Sequence, residues 1–271
     1  MINVLLTGDS YIFRGLALNI LSALKYTKAP IMFHVMTINV PWNRNAPLKE
    51  EDIEALRKMI KDYDPESDIR LYDVSSDFIE AFEASPNKHP AYSPASLVRL
   101  FLSQEIECDK LIYLDCDTMV CSSLEAFNEI DIDDYEIAVC LDYMGHRWIF
   151  KDYFNSGVIY INMKKVKETH LFENCIELLK KKKFYFADQT AIYKCSKYRK
   201  YIPWRFNEQR NIKEDTVIKH FNKGIKKFPF YVYNIKQWEV KKVYKFLKIH
   251  YFDDIYEEYD KYFKDSHPLD Y

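Results

Sequence analysis

The sequence lacks the features that would mark a membrane-spanning, secreted or nucleic-acid-binding protein. Its formal net charge is −2 over 271 residues, so the composition gives no general attraction for nucleic acid or acidic partners. No window approaches about 18 uncharged apolar residues, the minimum for a membrane span. Residues 1–11 lack the basic start and long apolar run of a signal peptide. We therefore expect a cytoplasmic protein, either soluble or peripheral on the inner face of the membrane.

Paired cysteines and linker segments are also missing. The six cysteines contain no Cys-x-x-Cys pair, and no two histidines stand at the spacing of a zinc site. Several cysteines lie in apolar, strand-like runs, so we expect reduced thiols that act as small hydrophobic residues. No Pro/Gly/Ser-rich linker and no internal repeat divides the chain. We expect one domain over residues 1–240, followed by a helical C-terminal tail over residues 241–271.

Hydrophobic residues, by contrast, are abundant at 48%, and their spacing predicts strands that alternate with helices. The predicted elements are strands 2–8, 31–40 and 68–74 and helices 11–27, 48–64 and 93–106. In the last helix Ser93 is the expected N-cap and Pro94 occupies the first helical position. Alternation of this kind predicts an α/β fold with a mostly parallel sheet covered on both faces.

Two aspartates follow the apolar run from Leu111 to Leu114, which has the composition of a buried strand. Side chains two residues apart in an extended chain point the same way, so Asp115 and Asp117 can converge on one point. Bare carboxylates would repel each other there, a cost that a divalent cation removes. Ligands of open α/β sheets bind beyond the carboxyl ends of strands, and Mg²⁺ or Mn²⁺ prefers such oxygen-rich sites. The pair indicates a metal site, with a solvated turn as the alternative.

Five segments, in order, resemble glycosyltransferase family 8, which includes bacterial lipopolysaccharide galactosyl- and glucosyltransferases and glycogenin. They are LTGDSYIFRGLALNILSAL at 6–24, SLVRLFLSQEIECDKLIYLDCDTMV at 96–120, YFNSGVIYINMKKVK at 153–167, ADQTAIY at 187–193 and IKHFNKGIKKF at 218–228. The resemblance implies a GT-A fold, which is a single Rossmann-like domain. It also implies transfer of a hexose from a nucleotide sugar, usually UDP-linked, with retention at the anomeric carbon.

The resemblance implies residues for the metal and the diphosphate. The implied ligands of Mn²⁺, or alternatively Mg²⁺, are Asp115, Asp117 and His220. Gly224 and Lys227 match a Gly and a Lys that contact the diphosphate in the family. The chain departs from the family pattern His-x-x-Gly-x-x-Lys-Pro-Trp, because HFNKGIKKFPF contains one extra residue. Lys226 is therefore an alternative to Lys227, and the Pro-Trp end is blurred.

The resemblance also implies residues for the nucleoside and the sugar. The implied donor-binding residues are Thr7, Asp9, Tyr11, Arg99, Asn155 and Ser156, together with Asp115. The implied catalytic residues are Asp188, which binds sugar hydroxyls, and Gln189, which lies near the anomeric carbon. Thr190 and Tyr193 depart from the acidic residue and the asparagine that the family has at these two positions after Asp188 and Gln189, which leaves the donor sugar open. Because an amide oxygen is a poor nucleophile, we favour attack on the face from which the leaving group departs.

Residues 223–251 mix lysines with aromatic residues, which fits a segment lying on anionic lipid or a cationic helix packed on the domain. The expected partners are a UDP-sugar donor and a saccharide or glycolipid acceptor, with peripheral membrane contact through the tail and no nucleic acid. The expected function is a metal-dependent, retaining hexosyltransferase in cell-surface polysaccharide or lipopolysaccharide synthesis. Two alternatives stay open: a nucleotide-sugar hydrolase and a non-catalytic nucleotide-binding module.

Overall fold

A computed structural model describes residues 1–44, 46–91, 93–227 and 230–271, with residues 226, 227, 230 and 231 described by their backbone alone. Its strands are β1 Ile2–Thr7, β2 Ile31–Thr37, β3 Asp68–Asp73, β4 Lys110–Leu114, β5 Thr118–Val120, β6 Ile137–Leu141, β7 Phe154–Asn162, β8 Arg199–Tyr201, β9 Ile218–His220, β10 Gly224–Lys227 and β11 Phe230–Tyr233.

The helices alternate with these strands over most of the chain. The α-helices are α1 Phe13–Tyr26, α2 Glu50–Tyr63, α3 Ser75–Phe82, α4 Leu102–Glu105, α5 Gly145–Trp148, α6 Met163–Thr169, α7 Leu171–Lys181, α8 Ala187–Cys195, α9 Val240–Lys242 and α10 Asp253–Phe263. The 3₁₀ helices are Ser10–Ile12, Pro94–Phe101, Leu124–Glu129 and Trp204–Phe206, and a π-helix covers Val243–Leu247.

Seven of the described strands form one central sheet in the order β3-β2-β1-β4-β7-β6-β8. β1 pairs in parallel with β2 and β4, β2 pairs in parallel with β3, and β6 pairs in parallel with β8. Within this sheet β7 runs antiparallel to both of its neighbours, β4 and β6. The prediction of a mostly parallel sheet is therefore confirmed. The carboxyl ends of β1, β4 and β6 and the amino end of β7 lie at one edge of this sheet, which we call its carboxyl edge.

Two hydrophobic cores cover the two faces of the sheet, because successive residues of a strand point to opposite faces. Val4 and Leu6 of β1 pack in one core with residues of α1, α2 and α10. Leu5, between them, packs in the other core with residues of α7, α8 and the helix Pro94–Phe101. All three side chains are fully buried. The uninterrupted apolar runs of the central strands thus reflect burial on both faces, as predicted.

The segment predicted as one helix over 93–106 is helical but changes type along its length. The Ala95 N–H donates to Ser93 Oγ at 3.2 Å, and Pro94 takes the first helical position, as predicted. Pro94–Phe101 is a 3₁₀ helix, and α4 continues it. A 3₁₀ run this long is uncommon. It carries Arg99, which is only 4% exposed.

The C-terminal helix α10 packs onto the domain. Its residues Ile255, Tyr256, Tyr259 and Phe263 are buried in the same core as β1 and α1. The ring of Phe263 meets the ring of Phe13 edge-on, with 5.1 Å between the centroids. Among the helices that the structure describes, none has the length and apolar character needed to cross a membrane. The domain boundary at residue 240 stays a prediction, and so does contact between the tail and lipid.

Candidate metal and sugar-nucleotide site

The two aspartates lie at the carboxyl end of β4, where the sequence predicts them. Asp115 follows β4 directly, and Asp117 precedes β5. The Asp115 N–H donates to the Gly157 carbonyl of β7 at 2.7 Å, and Thr118 Oγ1 donates to the Asp115 carbonyl at 2.8 Å. These bonds hold residues 115–117, which we call the aspartate turn, against the sheet. The side chains of Asp115 and Asp117 are 26% and 17% exposed, so a ligand can reach both carboxylates.

Strand β9 brings His220 to the two aspartates. β5 pairs antiparallel with β9, and Thr118 lies opposite His220. His220 Nε2 lies 3.1 Å from Asp117 Oδ1 and 3.9 Å from Asp115 Oδ2. One ligand atom from each of the three side chains lies within 4.8 Å of the other two. The structure therefore brings together the three residues that the sequence suggests as metal ligands.

The surroundings of His220 suit a bound cation. His220 Nδ1 lies 3.0 Å from Asn207 Oδ1, and Asn207 Nδ2 donates to Asn155 Oδ1 at 2.9 Å. Because the Asn207 oxygen only accepts, Nδ1 donates to it, and Nε2 faces the two carboxylates, where a divalent cation could bind. Gly157 leaves the necessary space, since a Cβ there would lie 2.2 Å from His220 Cε1 and 2.8 Å from Asp115 Oδ2. Two carboxylates and an imidazole are a suitable donor set for a divalent metal.

Lys236, which is not among the residues predicted from the sequence, places a positive charge beside Asp117. Lys236 Nζ donates to Asp117 Oδ2 and, at 3.3 Å, to the Phe221 carbonyl. Burial alone would raise the pKa of Asp117, but the Lys236 ammonium and the His220 imidazole lower that pKa well below its ordinary value. Asp117 is therefore ionised at neutral pH.

The sequence does contain a signal for Lys236, but it lies further along the chain than the spacing of the family pattern predicts. Lys236-Gln237-Trp238 resembles the Lys-Pro-Trp end of the family pattern. Gln237 Nε2 donates at 2.6 Å to the carbonyl of Cys116, which lies between the two aspartates. A Cβ on Gly15 would lie 2.6 Å from both the Cys116 carbonyl and the Trp238 ring. Lys236, through Asp117, and Gln237, through Cys116, thus hold this segment against the aspartate turn.

The predicted diphosphate residues lie on the hairpin of β10 and β11, which separates His220 from Lys236. Gly224 begins β10, and a Cβ at this position would overlap the ring of Tyr233, at 2.2 Å. Lys226 and Lys227 are also in β10, but their side chains lie outside the described part of the structure. Their contact with a diphosphate stays a prediction.

Arg99 connects the aspartate turn to α8. Its guanidinium donates to Asp115 Oδ1 at 2.7 Å and to the Ser156 carbonyl at 2.6 Å, and it lies 3.4 Å from Asp188 Oδ2. The guanidinium also lies over the Tyr113 ring, 4.1 Å from its centroid. Burial raises the pKa of Asp188, although Arg99 acts in the opposite direction. The buried Arg99 guanidinium therefore compensates the negative charges of both Asp115 and Asp188.

The predicted sugar-site residues lie around the start of β7 and the first turn of α8. Gln189 Oε1 accepts from the Ser156 N–H at 3.1 Å, and Ser156 Oγ lies 3.4 Å from Asp188 Oδ2. Asn155 Oδ1 accepts from the Gly157 N–H at 3.0 Å. Asn155, Ser156 and Asp188 are buried. The structure brings these residues next to the three candidate metal ligands.

The predicted nucleoside residues lie at the end of β1 and in the loop that follows it, at the same edge of the sheet. Thr7 Oγ1 lies 3.2 Å from the Tyr113 hydroxyl, which donates to Asp115 Oδ1 at 2.6 Å. Asp9 Oδ1 accepts from the Tyr11 N–H at 3.1 Å and caps the helix Ser10–Ile12. The Tyr11 side chain is 61% exposed. Thr7 is therefore connected to the aspartate turn, while Tyr11 presents a ring to solvent.

Comparison with known proteins decides the family. The model of the family described as Glycosyl transferase family 8 matches residues 3–226, which is most of the chain. This chain belongs to glycosyl transferase family 8. A putative glycosyltransferase of Haemophilus influenzae is 27% identical to it over 76% of this chain and 62% of that protein. A lipopolysaccharide 1,2-glucosyltransferase of Escherichia coli is 27% identical over 93% of this chain and 84% of that protein.

This member of the family is shorter than several of its relatives. It spans 62% of the Haemophilus influenzae protein and 21% and 27% of two Streptococcus pneumoniae glycosyltransferases. Among solved structures, an active-site mutant of LgtC has a TM-score of 0.68 at 20% identity, with 95% of both chains covered. Galactosyltransferase LgtC with donor and acceptor sugar analogues has a TM-score of 0.58 at 20% identity, with 81% of this chain and 86% of LgtC covered. The GT-A fold implied by the sequence resemblance is confirmed.

Proposed function

We propose that this chain transfers a hexose from a UDP-sugar to a saccharide or glycolipid acceptor, with retention at the anomeric carbon. The observation that carries the proposal is the convergence of Asp115, Asp117 and His220 beside Lys236. A metal site next to an ammonium group suits a nucleoside diphosphate, whose oxygens bind metal ions and cations. The name of the Escherichia coli relative supports a role in lipopolysaccharide or cell-surface polysaccharide synthesis.

Mn²⁺ is the proposed ion, held by Asp115, Asp117 and His220. The imidazole favours Mn²⁺ over Mg²⁺, because Mg²⁺ prefers oxygen ligands. When bound, the ion would neutralise the charge that develops on the diphosphate as its bond to the anomeric carbon breaks. Asn207 fixes the tautomer and orientation of His220 through its Nδ1.

The nucleoside is proposed to bind in the loop that follows β1, where α/β sheets commonly receive nucleotides. The exposed ring of Tyr11 can stack on the uracil. Thr7 and Asp9 lie on either side of Gly8 at the carboxyl end of β1, close enough in the chain to contact the same nucleoside. We therefore propose these three residues for uridine recognition.

The sugar is proposed to lie between β7 and the start of α8. Gln189 Oε1 is held by the Ser156 N–H, and its partial negative charge would stabilise the positive charge that develops at the anomeric carbon. Asp188, compensated by Arg99, would accept hydrogen bonds from sugar hydroxyls, with Asn155 beside it. Because the Gln189 amide is a poor nucleophile, we propose attack on the face that the leaving group vacates. The leaving phosphate would take the proton of the acceptor hydroxyl.

Lys236 is proposed to contact the diphosphate, and Lys236→Met tests this directly. A charge-assisted hydrogen bond contributes about 1.5–3 kcal/mol, so we expect UDP affinity in Mn²⁺ to fall by roughly 10- to 100-fold. Isothermal titration calorimetry measures the change. Lys241→Met, which alters an exposed lysine of α9, should leave UDP affinity unchanged. UDP affinity that is unchanged in Lys236→Met but lost in Lys227→Met would assign the contact to Lys227 instead.

The proposed function is tested by UDP release from a panel of UDP-sugars, with Mn²⁺ and with a chelator. We expect release from one sugar, loss of that release with chelator, and faster release when a saccharide acceptor is added. Release that no acceptor accelerates would favour the hydrolase, because water would then be the acceptor. Absence of both release and UDP binding would contradict the proposal and favour a non-catalytic module.

A further inference from the structure

The connection between β6 and β7 exposes three consecutive apolar side chains. Trp148, Ile149 and Phe150 are 78%, 41% and 50% exposed. Among the residues whose burial is described, no other run of three consecutive large apolar side chains is exposed to this degree. Single exposed apolar side chains are normal on a protein surface, whereas a contiguous group marks a surface that contacts something else.

Packing against neighbouring elements holds this group in place. The Phe150 ring stacks on Tyr193 of α8, with 5.6 Å between centroids and 12° between planes. The Tyr193 hydroxyl donates to Asp152 Oδ1 at 2.7 Å, and the Tyr201 hydroxyl donates to the Asp152 carbonyl at 2.5 Å. The Ile149 N–H donates to the carbonyl of residue 145 at 2.8 Å. The apolar side chains therefore project from an ordered turn.

Cations flank the apolar group on both sides. Arg147 precedes it and Lys151 follows it, and both are exposed. The Arg199 guanidinium lies over the Tyr193 ring at 4.6 Å. Asp152, an acidic residue that follows the group, accepts from the Tyr193 hydroxyl and lies 3.9 Å from the Arg199 guanidinium, which offsets its charge. An apolar tip with cations at its base matches an anionic bilayer, whose interface accepts aromatic rings and whose headgroups attract Lys and Arg.

We propose that residues 147–151 insert into the interfacial layer of an anionic lipid bilayer, at a site separate from the C-terminal tail. Trp148, Ile149 and Phe150 enter the region between headgroups and acyl chains, while Arg147 and Lys151 bind the headgroups. Ile149 argues for lipid rather than for a stacked sugar ring, because an aliphatic side chain adds apolar area but no flat face for stacking.

Insertion would place the proposed sugar site at the membrane surface, a consequence that rests on the proposed function. The same connection begins at Asp142, whose Oδ2 accepts from Asn155 Nδ2 at 3.0 Å. It ends at Tyr153, whose hydroxyl lies 2.9 Å from Thr190 Oγ1, next to Gln189. The loop is therefore attached to the site at both ends, and the acceptor class that fits is a saccharide carried on a lipid in that bilayer.

Vesicle co-sedimentation tests the proposal. We expect the protein to pellet with vesicles of phosphatidylcholine that contain roughly one third phosphatidylglycerol, and to bind pure phosphatidylcholine more weakly. Trp148→Ser combined with Ile149→Ser should lower the partition coefficient about tenfold or more, because two apolar side chains no longer enter the bilayer. Phe246→Ser, which alters an exposed aromatic residue of the tail, is the matched control and should bind like the unaltered protein.

Tryptophan fluorescence gives a second readout. Trp148 is the most exposed of the large apolar side chains described, so its emission should shift to the blue on vesicle binding and should be quenched by brominated lipid.

A double variant that pellets like the unaltered protein, or loss of binding in Phe246→Ser alone, would overturn the proposal. A blue shift with a soluble saccharide and none with vesicles would overturn it in favour of a sugar-stacking surface. UDP release with a soluble acceptor should stay unchanged in the double variant, which separates this test from that of the proposed function.

Discussion

Asp117→Asn is expected to abolish Mn²⁺-dependent binding of UDP while the domain stays folded. Asparagine keeps the shape of the side chain, but it removes the negative charge that a divalent cation needs. It also removes the carboxylate that pairs with Lys236 and lies 3.1 Å from His220 Nε2. We expect UDP affinity in Mn²⁺ to fall by about 100-fold or more, which corresponds to about 2.8 kcal/mol or more.

Calorimetric titration of UDP with Mn²⁺ and with chelator measures this loss, and circular dichroism monitors folding. Asp134→Asn is the matched control, because it makes the same chemical change at an exposed position and should leave UDP affinity unchanged. The lowered pKa of Asp117 shows that its ionised form is favoured in the folded state. The stability contributed by this carboxylate is therefore present at neutral pH and is lost as the pH falls. UDP affinity in Asp117→Asn equal to that of the unaltered protein would show that the metal assignment is wrong.

Arg99→Met is expected to lower the free energy of unfolding by about 3–5 kcal/mol at neutral pH, because it leaves buried charge without its partner. Arg99 lies between Asp115 and Asp188, and methionine can fill its space but cannot compensate either carboxylate. The variant should also lose UDP-sugar turnover, since both carboxylates belong to the proposed site. Urea unfolding measures the change in stability. Arg70→Met, at an exposed position of β3, should change the free energy of unfolding by less than about 0.5 kcal/mol.

The loss of stability caused by Arg99→Met should increase as the pH rises. Burial raises the pKa of Asp188 in the folded state, and Arg99 opposes that rise. Removing Arg99 therefore raises the pKa of Asp188 further. A carboxyl group whose pKa is raised by folding loses stability as the pH rises through that pKa. The variant should accordingly lose less stability at about pH 5 than at about pH 8, and an equal loss at both values would contradict the role assigned to Arg99.

Arg99→Lys separates the charge of the side chain from its geometry. Lysine keeps one positive charge but cannot reproduce the guanidinium contacts with Asp115 and the Ser156 carbonyl at the same time. We expect a smaller loss of stability than in Arg99→Met, together with weakened donor binding. This variant keeps the prediction testable if Arg99→Met fails to fold.

The sequence by itself determined the features that depend on residues close together in the chain. The helix and strand periods predicted the mostly parallel sheet, and the unbroken apolar runs predicted strands buried on both faces. The spacing of Asp115 and Asp117 predicted that their carboxylates lie on one side of the chain. Ser93 and Pro94 marked the start of a helix, but the 3₁₀ form of Pro94–Phe101 has no distinct local signal.

Periodicity and spacing did not indicate which distant residues join the aspartates: His220 was implied only by the family resemblance, and Lys236 was identified only in the tertiary structure. His220 reaches them because β5 pairs with β9. The β10–β11 hairpin separates Lys236 from the earlier part of the family pattern in the chain, and the fold returns Lys236 to Asp117. The sharing of Arg99 between Asp115 and Asp188 likewise requires three separate segments to meet. The physical reason is that strand pairing and side-chain hydrogen bonds between distant segments depend on the packing of the whole sheet, whereas periodicity and spacing report only on neighbours in the chain.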